Sequence, residues 1–81
     1  MTDSEIELAV KQALYDVAPD IAGEPIEPDK EFREQFEIDS MDFLNFIIAL
    51  NKATGVEISE KDYPSMQSLS GAVAYLKQHL G

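Results

Sequence analysis

The sequence contains 81 residues, of which 44% are hydrophobic and 27% are charged, and its formal net charge is −10. This length and composition predict a single globular domain, residues 1–81, rather than a disordered chain. Because the chain has no cysteine, disulfides, thiolate metal sites and cysteine nucleophiles are excluded, and the negative charge argues against nucleic-acid binding.

The first predicted helix runs from about Asp3 to Val17. Thr2 and Glu5 have the spacing of a capping box at its start. Pro19 marks its exit, because proline cannot continue a helix. The apolar residues of this segment recur at helical spacing and predict one buried stripe: Ile6, Val10, Leu14 and Val17.

A long connection covers residues 18–39 and contains Pro19, Gly23, Pro25 and Pro28. The acid is concentrated around it, since residues 16–42 hold ten of the sixteen carboxylates against only Lys30 and Arg33. Phe32 and Phe36 lie four residues apart, so we expect a short helical turn near Asp29–Phe36. Apolar side chains are expected to hold the connection against the core: Ile21, Ile26, Phe32, Phe36 and Ile38.

The second predicted helix runs from Ser40 to about Thr54. Asp39 occupies the N-cap position, Asp42 lies in the first turn, and Gly55 is the expected C-cap. At about 100° per residue, a buried apolar arc is predicted: Phe43, Leu44, Phe46, Ile47 and Leu50. The opposite side carries Asp42, Asn45, Ala49 and Lys52, with Met41 and Ile48 at the boundary.

Two further helices complete the chain. The third is short, begins at Ser59 with Asp62 completing a capping-box pattern, and is expected to stop at Pro64. The fourth begins after Ser68 and ends at Gly81, with a stripe of Leu69, Val73, Leu76 and Leu80. No convincing strand is visible. The predicted fold is therefore all-α, a bundle of three main helices plus one short helix, with a long loop between helices 1 and 2.

The residue types that carry catalysis are scarce. His79, the only histidine, lies near the predicted end of the last helix and is interpreted as a solvated residue. The glycines are dispersed rather than gathered in a phosphate-binding loop, and the acidic run lacks the spacing of a calcium-binding loop. We therefore expect no catalytic residue, no metal site and no enzyme activity.

The remaining signal is Asp39-Ser40-Met41. Taken alone, an Asp-Ser pair at a helix start indicates only helix capping. Together with Phe32, Phe36-Glu37-Ile38 before it and Asp42 after it, the segment resembles the Asp-Ser-Leu region of acyl carrier proteins. The resemblance continues through Ile47-Ile48-Ala49-Leu50, Gly55-Val56-Glu57-Ile58 and Met66 to Leu76, and residues 39–76 fit bacterial fatty-acid carriers without a gap.

This resemblance implies a function. A phosphopantetheinyl transferase would attach 4′-phosphopantetheine to the Ser40 hydroxyl, making the chain a phosphoprotein, and Asp39 would cap the helix beside it. The arm would hold acyl groups as thioesters and deliver them to enzymes of a fatty-acid, polyketide or specialised acyl pathway. The chain would be a cytoplasmic monomer with no membrane partner. Candidate partner contacts, each of which is otherwise an ordinary surface or boundary position, are Met41, Asp42, Asn45, Ile48 and Lys52.

The chain also departs from the family pattern. Glu37 stands two residues before Asp39, where carrier proteins usually have glycine, so a different local turn is expected. Asn45, Asn51 and Lys52 replace acidic residues that fatty-acid carriers display on the second helix, which favours a specialised member. Two alternatives remain: a carrier for aminoacyl or aryl groups, and a helical protein-interaction module without an arm.

Overall fold

The computed structural model describes residues 1–80 and contains four α-helices. These are α1 (Asp3–Val17), the short α2 (Phe32–Gln35), α3 (Ser40–Thr54) and α4 (Leu69–Leu80). Two 3₁₀ segments, Pro19–Ile21 and Glu60–Met66, lie between them. Residues 1–80 contain no strand, so the predicted all-α fold is confirmed. The predicted C-terminal end at Gly81 lies outside the described residues.

The capping box at the start of α1 is formed as predicted. The backbone N–H of Glu5 donates to the Thr2 hydroxyl at 3.2 Å, and the backbone N–H of Thr2 donates to the Glu5 carboxylate at 2.8 Å. Two of the unpaired donors that every helix leaves at its start are thereby satisfied. The helix consequently begins at Asp3.

Helix α3 is delimited by the two predicted caps. The Asp39 carboxylate accepts a hydrogen bond from the backbone N–H of Asp42 at 2.8 Å. At the other end, Gly55 adopts a left-handed backbone (φ 75°), and its N–H donates to the Asn51 carbonyl at 2.8 Å. Only glycine adopts this conformation without steric cost, so the helix stops after Thr54.

The core lies where α1 packs against α3 and α4. Phe32 and Phe46 meet edge-on at its centre, with ring centroids 5.4 Å apart. The largest fully buried side chains come from every main helix and from two connections: Phe32, Phe46, Ile6, Leu14, Leu50, Met66, Leu76 and Val10. Burial of such side chains is the dominant favourable term in folding. The core therefore depends on the long connection as well as on the helices.

The long connection is held against the core, as its apolar residues predicted, and its backbone also contacts the start of α4. Ile21, Phe32 and Ile38 are buried, while Ile26 and Phe36 pack on the core from a partly buried position. The backbone N–H of Phe32 donates to the Gln67 carbonyl at 2.7 Å, and that of Ser70 donates to the Pro28 carbonyl at 2.9 Å. These contacts place the segment that precedes Ser40.

One side chain also organises the connection internally. The Gln35 amide donates to the carbonyls of Glu27 and Lys30 at 3.0 and 2.9 Å, and its oxygen accepts the Glu27 N–H at 2.9 Å. A single residue thus satisfies three backbone groups that lie outside regular structure. The sequence pattern did not single out this residue.

Three expectations for the helices need correction. Leu44, placed in the buried arc of α3, is 40% exposed because it lies at the edge of that arc. Pro64 does not end its segment, since the 3₁₀ helix continues to Met66, whose side chain is fully buried. The box at Ser59 is not formed: the Ser59 hydroxyl donates to the Asp62 carboxylate, while the Asp62 N–H bonds to the Ser59 carbonyl.

Candidate functional site

Ser40 is the first residue of α3 and its side chain is exposed. Directly before it, Asp39 has an extended backbone (φ −91°, ψ −178°), and the buried side chain of Ile38 anchors the chain to the core. On the other side, Phe43 and Phe46 anchor the first turns of α3. The hydroxyl is therefore presented to solvent from a backbone that is held on both sides.

The turn that leads into this serine forms without glycine. The N–H of Ile38 donates to the Phe36 carbonyl at 3.1 Å, across Glu37. Within residues 1–80, only Gly23 and Gly55 have a positive φ, so Glu37 keeps an ordinary backbone. A three-residue turn of this kind is compatible with any side chain. The glutamate at this position therefore imposes no strain on the site.

The first turn of α3 offers unpaired donors beside the hydroxyl. The backbone N–H groups of Ser40 and Met41 make no hydrogen bond within the described chain, because first-turn donors have no helical partner. A helix N-terminus also carries partial positive charge and favours a phosphate group. Asp39 opposes this field, but its carboxylate is engaged by the Asp42 N–H. The site therefore fits a phosphodiester attached at Ser40.

The five predicted contact residues differ in how exposed their side chains are. Met41 and Ile48 are 64% and 45% exposed, and Asn45 and Lys52 are also exposed. Asp42 is only partly exposed. Four of the five predicted contacts thus lie on the open face of α3.

The structure changes the interpretation of two neighbouring residues, Leu44 and Asn51. Leu44 joins the exposed face, although it was assigned to the core. Asn51 is partly buried, and its side-chain amide donates to the Val56 carbonyl at 2.9 Å. This hydrogen bond to the loop after α3 explains why an asparagine occupies position 51. Its presence there is therefore more than the replacement of an exposed acid.

A shallow groove of about 490 Å³ runs beside this face, between α3 and the segment that follows it. Tyr63 lines this groove and makes an edge-on contact with Phe43, with ring centroids 5.6 Å apart. Its lining combines apolar and polar side chains: Leu44, Ile47, Ile48, Asn51, Glu57, Ile58, Ser59 and Tyr63. Its lining residue nearest to Ser40 in the chain is Leu44, about one helical turn beyond that serine.

No competing site emerges elsewhere in residues 1–80. The imidazole of His79 stacks on Tyr75 with centroids 4.1 Å apart, and its Nδ1 bonds to the Tyr75 carbonyl, so it is engaged within α4. Residues 1–80 hold no cluster of three or more His, Asp or Glu side chains suited to a metal ion. In the same range, no helix is both long and apolar enough to cross a membrane.

The pKa shifts of the chain also fall outside this region. Hydrogen bonds with Thr2 lower the pKa of Glu5. Burial, together with the hydrogen bond to Asp62, raises the pKa of Tyr75. Neither residue belongs to α3.

Comparisons with known proteins cover most of the chain. Residues 9–76 match the family model described as phosphopantetheine attachment site. An acyl carrier protein from Solidesulfovibrio magneticus is 31% identical over 72 residues, which cover 89% of this chain and 91% of that protein. One from Rubrobacter xylanophilus is 29% identical over 73 residues, covering 86% of this chain and 90% of its own. One from Lactobacillus acidophilus is 27% identical over 78 residues, covering 88% and 98% respectively.

Proposed function

This chain belongs to the phosphopantetheine attachment-site family, and from that premise we propose that Ser40 carries the arm on which the protein holds acyl groups. Membership confirms the resemblance seen in the sequence and implies a covalently attached 4′-phosphopantetheine. Acyl carrier proteins are carriers rather than enzymes, in agreement with the prediction that the chain catalyses no reaction.

The observation that carries the assignment of Ser40 is its position. It lies inside the matched range 9–76, at the first residue of a capped helix, with its hydroxyl exposed. A transferase must reach the hydroxyl, and the exposed first turn allows that approach. The adjacent backbone N–H groups would then face the phosphate once it is attached.

The residues of this chain and the arm have separate roles. The arm supplies a terminal thiol, which the chain itself lacks because it contains no cysteine. Asp39 holds the start of α3 through its bond to the Asp42 N–H, and Ile38 anchors the preceding residue in the core. These contacts keep the attachment point in one place while the arm moves between enzymes. The partners are a phosphopantetheinyl transferase and enzymes that load or modify acyl groups.

The test is the mass of the intact protein after incubation with coenzyme A and a broad-specificity phosphopantetheinyl transferase. We expect a single phosphopantetheine addition to wild type and none to Ser40→Ala. Ser59→Ala is a matched control, because Ser59 is also exposed and precedes a helical segment. An addition that persists in Ser40→Ala, or no addition to wild type with several transferases, would contradict the assignment.

We further propose that the carrier serves a dedicated set of enzymes rather than general fatty-acid synthesis. Asn45 and Lys52 are exposed on α3, where fatty-acid carriers display acids. Rim charges mainly steer encounter and select partners, so a cation at Lys52 disfavours enzymes that present basic patches. Asn51 is set aside here because its hydrogen bond to the Val56 carbonyl explains it.

The corresponding experiment compares the holo protein with an Asn45→Glu, Lys52→Glu variant as substrates in a reconstituted bacterial fatty-acid synthesis assay. Wild type should be a poor substrate, and the variant should improve mainly through a lower KM. If wild type already matches an ordinary fatty-acid carrier, the dedicated role is wrong. If wild type is a poor substrate and the variant is no better, the charge on α3 is not the feature by which these enzymes select their carrier.

A further inference from the structure

A row of aromatic rings leads from the groove beside α3 to the centre of the core. Tyr63 lines that groove, and its ring meets Phe43 edge-on with centroids 5.6 Å apart. The ring of Phe43 lies 6.0 Å from that of Phe46, which in turn lies 5.4 Å from that of Phe32. Phe32 and Phe46 are fully buried, whereas Tyr63 is only partly buried. Tyr63 is therefore the outermost ring of a continuous row that ends in the core.

The groove itself stops short of the core. Among its lining residues within 1–80, Ile47 is the only buried one, and none belongs to the fully buried set. The interior of a folded protein leaves few voids larger than a water molecule, so an apolar chain enters it only by displacing a side chain. The largest side chain in the lining is that of Tyr63, and it contacts the core ring of Phe43. Tyr63 therefore stands between the groove and the core.

The 3₁₀ segment that carries Tyr63 is held on two sides. The Asp62 carboxylate accepts hydrogen bonds from the Tyr75 hydroxyl at 2.9 Å and from the Ser59 hydroxyl at 3.1 Å. The first of these bonds ties the segment to α4, and the fully buried side chain of Met66 anchors its end in the core. An outward movement of Tyr63 with its segment would break these contacts. The ring is consequently fixed where it meets α3.

We propose that Tyr63 closes the core to the acyl group, so that the acyl groups carried on Ser40 stay outside it. The inference rests on the proposed function, because it takes Ser40 as the loaded residue. A long alkyl chain without apolar shelter stays in contact with water, which is unfavourable in proportion to its exposed area. The closed core therefore suits short acyl groups, and Tyr63 is the residue that sets this specificity.

The experiment loads the protein with butyryl, octanoyl or dodecanoyl phosphopantetheine from the matching coenzyme A thioesters and measures three melting temperatures. In wild type they should agree within about 1 °C. Tyr63→Ala should leave an apolar cavity that takes up the chain, so its melting temperature should rise by about 5 °C or more from the butyryl to the dodecanoyl form.

Tyr15→Ala is the matched control. Tyr15 is also a partly buried tyrosine packed against the core, but it lies on α1 and does not line the groove. Its removal should lower the three melting temperatures equally and create no dependence on chain length. The same equal loss in Tyr63→Ala would overturn the proposal, because it would give Tyr63 a purely structural role.

Native hydrophobic-interaction chromatography gives a second readout, because it reports the exposure of the chain directly. Retention of wild type should increase from the butyryl to the dodecanoyl form, and Tyr63→Ala should lose most of that increase. A wild-type melting temperature that rises with chain length, or a retention that does not, would overturn the proposal. This wild-type series requires no variant, so the proposal is testable even if Tyr63→Ala fails to fold. Absence of loading in wild type would instead contradict the assignment of Ser40, so the two failures are distinguishable.

Discussion

At the scale of single residues, Asp39 links the stability of α3 to the placement of Ser40. Its carboxylate accepts the only side-chain hydrogen bond in the first turn of that helix, from the Asp42 N–H at 2.8 Å. The same residue is the last one before the exposed serine. A change here therefore affects both folding and the position of Ser40.

Asp39→Ala should lower the free energy of unfolding by about 1 kcal/mol, because the Asp42 N–H loses its acceptor. Asp39→Asn is the control, since asparagine caps helices about as well as aspartate and should lose little. Urea denaturation measures both. Equal losses in the two variants would indicate that the charge of Asp39, and not its hydrogen bond, is what stabilises the helix.

Glu5 gives α1 a dependence on pH. Its bonds with Thr2 hold the pKa of Glu5 below the ordinary value of 4.5, so the ionised form stabilises the folded state. That contribution is complete above the ordinary value and is lost as the pH falls through the lowered pKa. Because the carboxylate is exposed, the effect is expected to be small.

A comparison of wild type with Glu5→Gln measures this contribution, because glutamine keeps the capping-box hydrogen bond but does not titrate. Wild type should be the more stable of the two at neutral pH, and its advantage should shrink on acidification below the ordinary glutamate pKa. Urea midpoints at the two pH values supply the data. An advantage that stays constant with pH would contradict the assignment of the effect to Glu5.

At the scale of elements, the junction between the 3₁₀ segment Glu60–Met66 and α4 depends on close backbone approach. A Cβ at Gly71 would overlap the carbonyl oxygen of Ser65, a backbone atom that cannot swing away. The Gly71 N–H also bonds to the Ser68 hydroxyl at 3.1 Å. Tyr75 adds a bond from α4 to Asp62 at 2.9 Å. Together these contacts hold the 3₁₀ segment against α4.

Gly71→Ala should therefore destabilise the protein by about 1–2 kcal/mol, although alanine is the better helix former. Ala74→Gly, at an exposed position of the same helix, is the matched control and should cost about 1 kcal/mol from propensity alone. Thermal or urea unfolding of both variants distinguishes the two effects. A Gly71→Ala protein more stable than wild type would show that the segments separate without cost.

At the scale of the whole molecule, the distribution of charge sets the balance between solubility and self-repulsion. Ten of the sixteen acids lie in residues 16–42, and nine of these ten are exposed. Only one ion pair, Lys30 with Glu27 at 3.6 Å, involves an acid of this region. The folded chain therefore concentrates like charges around the long connection and the start of α3.

Stability should consequently rise with ionic strength, because salt screens repulsion between exposed carboxylates. We expect the melting temperature to increase on adding sodium chloride, and to increase further at equal ionic strength with magnesium chloride. A Glu31→Gln, Glu34→Gln variant should melt higher than wild type at low salt and lose that advantage at high salt. Melts insensitive to both salts would contradict the role given to this acidic region.

The sequence by itself predicted the bounds of α1 and α3, and it supplied the proposal that Ser40 is the attachment residue. Caps are local: Thr2 with Glu5, Asp39 with Asp42, and Gly55 each act within a few residues, so their spacing is readable before any tertiary contact is known. The same holds for the stripes of α1 and α4. Ser40 was proposed because a capped helix start coincided with a long family resemblance.

Only the tertiary structure decided which side chains are exposed beside that residue. Leu44 lies at the edge of an apolar arc, is 40% exposed and lines the groove between α3 and the segment that follows it. Gln35 was unremarkable in the sequence, and Asn51 was interpreted there only as the replacement of an acid. The hydrogen-bond partners of both side chains are carbonyls in irregular loops, which the sequence does not reveal. Pro64 was expected to end a helix, yet burial of Met66 carries the 3₁₀ segment past it. The periodicity of a sequence predicts on which side of a helix a side chain lies. Whether that side chain is buried depends on neighbours from distant parts of the chain.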